Sequence, residues 1–174
     1  MDHTEAGRYW NENAEVWTRL ARAGYDVYRD HLNTPAFLGM LPDMKGLSGI
    51  DIGCDEGHNT RLIARRCARL VGIDIAEVFV RHAAEAERKE PLGIEFRVAS
   101  AADIPFPDRS FDFATSVMCL MDVPETGRAM KPCGDARTCR TRRLSPTSFT
   151  SGHGKPGDQG PGPVLGRAAD RRRA

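Results

Sequence analysis

Two glycines and a group of carboxylates between Asp51 and Asp74 have the types and spacing to do chemistry. Gly53 and Gly57 bracket the run Gly53-Cys54-Asp55-Glu56-Gly57. Glycine permits backbone dihedrals that other residues avoid and leaves no Cβ in the way of a ligand. A helix starting behind Gly57 would turn its free N–H groups and partial positive charge toward the same point. A plain tight turn uses glycines too, so the run by itself leaves both readings open. Asp74 stands 17 residues beyond Gly57. A carboxylate there, at the end of a second strand, suits paired hydrogen bonds from two ribose hydroxyls. Its other reading is a solvated carboxylate at a strand end. Together the two features favour an adenosine-containing cofactor in a Rossmann-like crevice.

These residues need particular elements behind them. Residues 5–32 read as helix, with Trp10, Ala14, Trp17 and Ala21 at three- and four-residue steps and a break at Gly24. Pro35 and Pro42 frame a connecting piece, 36–41. A strand over 49–52 runs into the glycine turn, and a helix over 58–69 follows, with Asn59 or His58 at its cap. Its Leu62, Ile63 and Cys67 face one way and Arg61, Arg65 and Arg69 the other. A second strand over 70–73 ends at Asp74. A helix over 76–89 turns Val78, Phe79, His82, Ala83 and Ala86 inward. A third strand covers 94–99 and a fourth 111–117, and Pro124 opens another helix. Such strand–helix alternation implies a parallel α/β sheet with right-handed crossovers and a ligand crevice at the C-terminal strand ends, beside the first strand.

With those blocks in order, the sequence resembles the class I S-adenosylmethionine-dependent methyltransferases of the methyltransferase-11 type, over about residues 9–131. The first motif is Asp51-Ile52-Gly53-Cys54-Asp55-Glu56-Gly57. The resemblance implies that Asp51 sits under the methionine amino group, that Asp74 binds the ribose, and that Ile75 packs on the adenine. The stretch from Ala99 to Asp112, with Ser100, Ala101 and Asp103, resembles the family's adenine loop running into its fourth strand. The implied cofactor is S-adenosylmethionine and the implied partner a small-molecule methyl acceptor. The implied fold is α/β, a Rossmann-like parallel sheet with flanking helices. An NAD(P)-type oxidoreductase is the rival on a similar fold. It would want a third glycine at the helix start, where this chain has His58-Asn59-Thr60.

Two positions depart from the family. Asp55 stands where glycine is usual, bringing a carboxylate to the methionine end of the cofactor. Repulsion there would cost on the order of 1–3 kcal/mol, and Asp55→Gly would then tighten cofactor binding. The other reading has Asp55 turn outward or bond the amino group. Ser100 stands where Asp often reads the adenine amino group, and the Ala101 N–H can still serve. Methyl transfer needs alignment more than side-chain chemistry, so no catalytic residue is assigned. His58, His82 and Asp122 are the nearest candidates for a base. The aromatic N-terminal segment with Tyr9, Trp10, Trp17, Tyr25 and Tyr28 matches the family's lid, or packs as ordinary core.

Composition divides the chain. Its formal charge of +1 excludes a strongly basic nucleic-acid binder. Residues 1–131 carry 16 Lys+Arg and 21 Asp+Glu, and residues 132–174 carry 9 and 3. Leu, Ile, Val and Phe number 30 in the first part and 4 in the second. That split sets off a disordered basic tail, 132–174, and the resemblance implies the rest: an N-terminal helical lid segment, 1–46, and an incomplete cofactor-binding domain, 47–131, truncated after its fourth strand. A shifted reading frame is the sharper reading of the tail. Codons for Thr141-Arg142-Arg143-Leu144 can encode Pro-Gly-Gly-Phe one base on, the family's turn into its fifth strand. The expected enzyme is therefore of doubtful activity, with a non-catalytic remnant as the alternative. No stretch is apolar enough to span a membrane and no leader is evident. The five cysteines form no C-x-x-C pair. They fit reduced thiols in a cytoplasm and no metal site.

Overall fold

The computed structural model describes residues 3–123. A long amphipathic helix, α1 (His3–Arg22), comes first and ends at Gly24, whose φ is +76°. The helix expected over 5–32 thus breaks at Gly24, as expected, into two pieces. The second is a π-helical turn, Arg29–Asn33, that runs directly into α2 (Thr34–Met40). The expected connector over 36–41 is therefore mostly helix. Pro35 sits in its first turn, where a missing N–H costs nothing.

The remaining elements alternate: β1 (Ser48–Ile52), α3 (His58–Ala64), β2 (Arg69–Asp74), α4 (Glu77–Lys89), β3 (Glu95–Val98) and β4 (Phe113–Thr115), then a short 3-10 turn, Leu120–Asp122. The four strands form one parallel sheet in the order β3-β2-β1-β4. The chain order reverses beside β1, which opens a crevice at the C-terminal strand ends. The helix expected over 58–69 stops at Ala64, and the strand expected over 111–117 is three residues long. Phe111 lies before that strand and is still buried. The helix expected from Pro124 and the tail over 132–174 lie outside the described residues.

One sheet face carries Ile50, Ile52, Val71 and Ile73, which pack with Phe111 and with Ala99, Ala101, Ile104 and Phe106 of the loop after β3. On the other face Ile63 of α3 packs with Leu70, Phe113 and Met44. Ala14 of α1 meets Ala76 and Phe79, so α1 seats on α4. Hydrogen bonds fasten the same seam. Asn11 Oδ1 accepts the Val78 N–H (3.0 Å), satisfying an open donor in the first turn of α4. Glu15 meets Arg81 (3.1 Å) and His82 (3.0 Å). His82, expected on the inward face of its helix, is largely covered and faces α1, and Val80 is buried on α4 as well. Arg61, expected to face solvent, is largely covered and pairs with Glu87 and Glu90. Below the sheet ends, Asp112 Oδ2 accepts from the Ser48 N–H (2.8 Å) and hydroxyl (2.9 Å), pinning the start of β1 to the approach of β4.

Candidate functional site

The turn after β1 takes its shape from two glycines. Gly53 has φ +73°, and a Cβ there would overlap the Cys119 side chain. Gly57 has φ +88°, and a Cβ would stand 3.0 Å from Ala83 and 3.2 Å from Phe96. Both positions thus need glycine for dihedral and for space. Gly57 is also the cap residue of α3, in place of the expected His58 or Asn59. Its side-chain cap comes from Glu56, whose Oε2 accepts the His58 N–H (2.9 Å). Between the glycines, Asp55 adopts φ +53°, a left-handed conformation that Asp tolerates better than most residues.

At this turn a cleft of about 290 Å³ opens over the strand ends. Gly53, Asp55, Asp74, Ile75, Ser100 and Ala101 line it, six of the ten residues expected to bind cofactor. The walls add Trp10, Trp17 and Phe79 on one side and Val117, Met118, Cys119 and Met121 on the other. Trp10 and Trp17 meet edge to face at 6.3 Å and remain 36% and 41% exposed. They form a wall of the cleft rather than core.

The other four expected residues lie around the cleft, not in its lining. Asp51 is buried beneath it, and its carboxylate accepts the hydroxyls of Thr60 (2.6 Å) and Thr115 (2.7 Å). Burial pushes its pKa up to about 6, against those two hydrogen bonds. Cys54 is buried against Gly72, and its thiol is pushed well above the usual range by burial. Gly57 closes the turn, as above. Asp103 is exposed on the loop after β3, its N–H bonded to the Ser100 carbonyl (3.1 Å).

Asp74 sits on the cleft floor between backbone amides. Oδ2 accepts the Asp55 N–H (3.0 Å) and Oδ1 the Ala76 N–H (2.9 Å). The Ile75 amide also acts on this carboxylate, whose two oxygens together have acceptor capacity beyond these amides for a ligand hydroxyl. Burial raises its pKa, and the amides pull it back. Asp55 does not turn outward. Its Oδ2 accepts the Trp17 indole N–H (2.9 Å) and its Oδ1 the Glu56 N–H (2.9 Å). Burial, helped by the neighbouring Glu56, pushes its carboxyl up to about 7.

One feature of the site had no signal in the sequence. Glu56 is buried, and Arg29 of the π-helical turn reaches it at 3.1 Å while also bonding the Ala21 carbonyl at 3.0 Å. The partners are 27 residues apart, and no local pattern joins them. Of the three candidate bases, Asp122 lines the cleft. His82 is bound to Glu15, and His58 borders a separate hollow with Asp30 and Arg66.

A family profile described as a methyltransferase domain matches residues 50–136. The chain belongs to the methyltransferase-domain family. The cofactor of this family is S-adenosylmethionine. The chain is 34% identical over 153 residues to a demethylmenaquinone methyltransferase of Tropheryma whipplei, covering 80% of this chain and 63% of the relative. It is 30% identical over 140 residues to a 27-O-demethylrifamycin SV methyltransferase of Amycolatopsis mediterranei, covering 72% and 47%. The chain thus spans between about half and two thirds of the length of these relatives. The cyclase SpnF shares the fold at a TM-score of 0.65 and 23% identity, over 74% of this chain and 54% of that one. A methyltransferase from Aquifex aeolicus does so at 0.57 and 18%, over 66% and 63%.

The cleft fits the family's cofactor on its own chemistry. Carboxylates with free acceptor directions match hydroxyl and ammonium donors, and the apolar walls match a purine face. Among the described residues no helix is long and apolar enough to cross a membrane.

Proposed function

We propose that this chain binds S-adenosylmethionine in the cleft beside β1 and directs its methyl group to a small-molecule acceptor. The observation that carries the reading is Asp74, held by backbone amides on the floor of a largely apolar cleft. In this reading its carboxylate takes the two ribose hydroxyls. Ile75 and Ala101 flank the adenine, with the Ser100 hydroxyl and the Ala101 N–H at its polar edge. The Gly53 backbone meets the methionine end in a turn shaped by Cys54 and Gly57, while Asp103 shapes the loop at the adenine end. Asp51 holds the turn from below through Thr60 and Thr115.

When bound, the cofactor supplies a methyl group already activated on a sulfonium. The chain's own residues then have to orient and to exclude water. Trp10 and Trp17 cover one side of the cleft, and Met118 and Met121 border the other, where an acceptor would enter. Asp122 is the carboxylate at that border and would take a proton from an acceptor that must lose one. The relatives named for menaquinone and rifamycin precursors support a free small molecule as acceptor. We place this activity in the cytoplasm, with residues 1–46 as lid and 47–131 as the cofactor domain.

Calorimetric titration of the full chain with S-adenosylmethionine tests the reading. Saturable one-to-one binding is expected, and Asp74→Ala is expected to weaken it about a hundredfold. Equal affinity in that variant, with circular dichroism unchanged, would overturn the assignment. Binding without transfer of labelled methyl to any small molecule would favour a non-catalytic domain.

A further inference from the structure

We propose that Asp55 and Trp17 are a positioning pair for the cofactor: the indole N–H of Trp17, donating to Asp55, holds α1 closed against the turn after β1. The inference rests on the cofactor reading above. It assigns Asp55 an effect on affinity that runs through Trp17.

The geometry separates this contact from the others that α1 makes. Asn11, Glu15 and Arg22 all bind α4, at Val78, at Arg81 and His82, and at the His82 carbonyl. Those bonds seat the helix but do not reach the cleft. Trp17 to Asp55, at 2.9 Å, is the direct hydrogen bond from α1 to the glycine turn among the described residues. Trp17 is 41% exposed, so burial alone does not fix its ring. The carboxylate it meets is itself aimed, with Oδ1 on the Glu56 N–H and the Asp55 amide on Asp74 Oδ2. A line of hydrogen bonds therefore runs from the aromatic wall, through Asp55, to the carboxylate on the cleft floor. A glycine at position 55 would ease the left-handed backbone but break that line.

The acceptor of this bond changes charge near neutral pH. Burial sets its pKa at about 7. The titratable groups around it are Glu56 on its own turn, Asp74 on β2, Asp51 on β1, Asp122 and His3 on the other cleft walls, and Arg29 across Glu56. An indole bonded to Asp55 must report that titration, whereas an indole held by ring packing need not.

Two measurements decide it. In the ligand-free full chain, the Trp17 indole N–H resonance, assigned with Trp17→Phe, is expected to titrate with a midpoint near 7. In Asp55→Asn it is expected to stay fixed. A Trp17 resonance that is flat in the unsubstituted chain overturns the contact. In calorimetry with S-adenosylmethionine, Trp17→Phe and Asp55→Gly are each expected to weaken binding about 3- to 10-fold. The double variant is expected to be no weaker than either single one. Tighter binding by Asp55→Gly means that charge repulsion dominates and overturns the pair. Losses that multiply in the double variant overturn it too, because Trp17 then acts by packing alone. Absence of cofactor binding in the unsubstituted chain sinks the functional reading itself, whereas binding with multiplied losses sinks only the pair.

Discussion

The two rims of the cleft are built differently. On the rim made by the glycine turn, every acidic side chain from Asp51 to Glu56 has a partner from a distant part of the chain. Asp51 has Thr60 and Thr115, Asp55 has Trp17, and Glu56 has Arg29. On the rim that follows β4, Met118 and Met121 are 61% and 70% exposed, and Met118 has φ +57°. That rim is tied down by the Ser116 hydroxyl donating to the Ile52 carbonyl (2.9 Å), by the Asp122 backbone N–H donating to the Cys119 carbonyl (2.9 Å), and by Cys119 against Gly53. In the proposed function the fastened rim receives a cofactor of fixed shape. The rim of flexible thioethers receives the acceptor, whose shape differs between family members.

The contrast breaks most sharply at the buried ion pair. Arg29→Ala leaves Glu56 buried without its cation and is expected to cost about 3 kcal/mol, read as the midpoint of urea unfolding. A loss below about 0.5 kcal/mol would show that water reaches Glu56 and that the rim is not fastened there. Gly53→Ala comes next. It forces a side chain into left-handed backbone and against Cys119, with an expected loss of about 2 kcal/mol in the same assay.

Asp55→Asn tests the electrostatics with a definite sign. The carboxyl of Asp55 has a raised pKa in the fold, about 7 against a usual value near 4. Its contribution to stability is therefore fully present below about pH 4 and lost as pH rises through 7. Asp55→Asn removes that loss. The variant is expected to be more stable than the parent at pH 8, on the order of 2 kcal/mol, with the difference shrinking toward pH 5. Thermal melts at the two pH values check it, and a difference that grows on acidification would contradict the burial of this carboxylate. The smallest effect belongs to the other rim. Met121→Ala is expected to change stability by less than about 0.5 kcal/mol and cofactor affinity by less than about threefold. A larger effect on either would erase the contrast.

Much of this was legible in the sequence. Alternation of short apolar strands with helical stripes gave the parallel sheet and the place of the crevice, because period and order are local properties. Gly53 and Gly57 marked the turn but left a plain tight turn open, and only the folded backbone shows that both need left-handed dihedrals. Asp74 could be placed at a strand end from its distance to them. The helical start at Thr34 was misread because Pro35 looks like a breaker when its position within the turn is unknown. The short β4 was overestimated because an apolar run does not say where pairing stops.

Sequence alone thus determined the fold class, the turn and the carboxylate at its far side, since each depends on residues close together in the chain. Tertiary structure decided what each carboxylate does. Asp51, Asp55 and Asp74 are the same residue type on one short stretch, yet one is buried under two threonines, one holds an indole, and one faces the cleft between amides. Their partners come from as far as 64 residues away. Charge state and direction follow from burial and from those partners, and only folding brings the partners within reach.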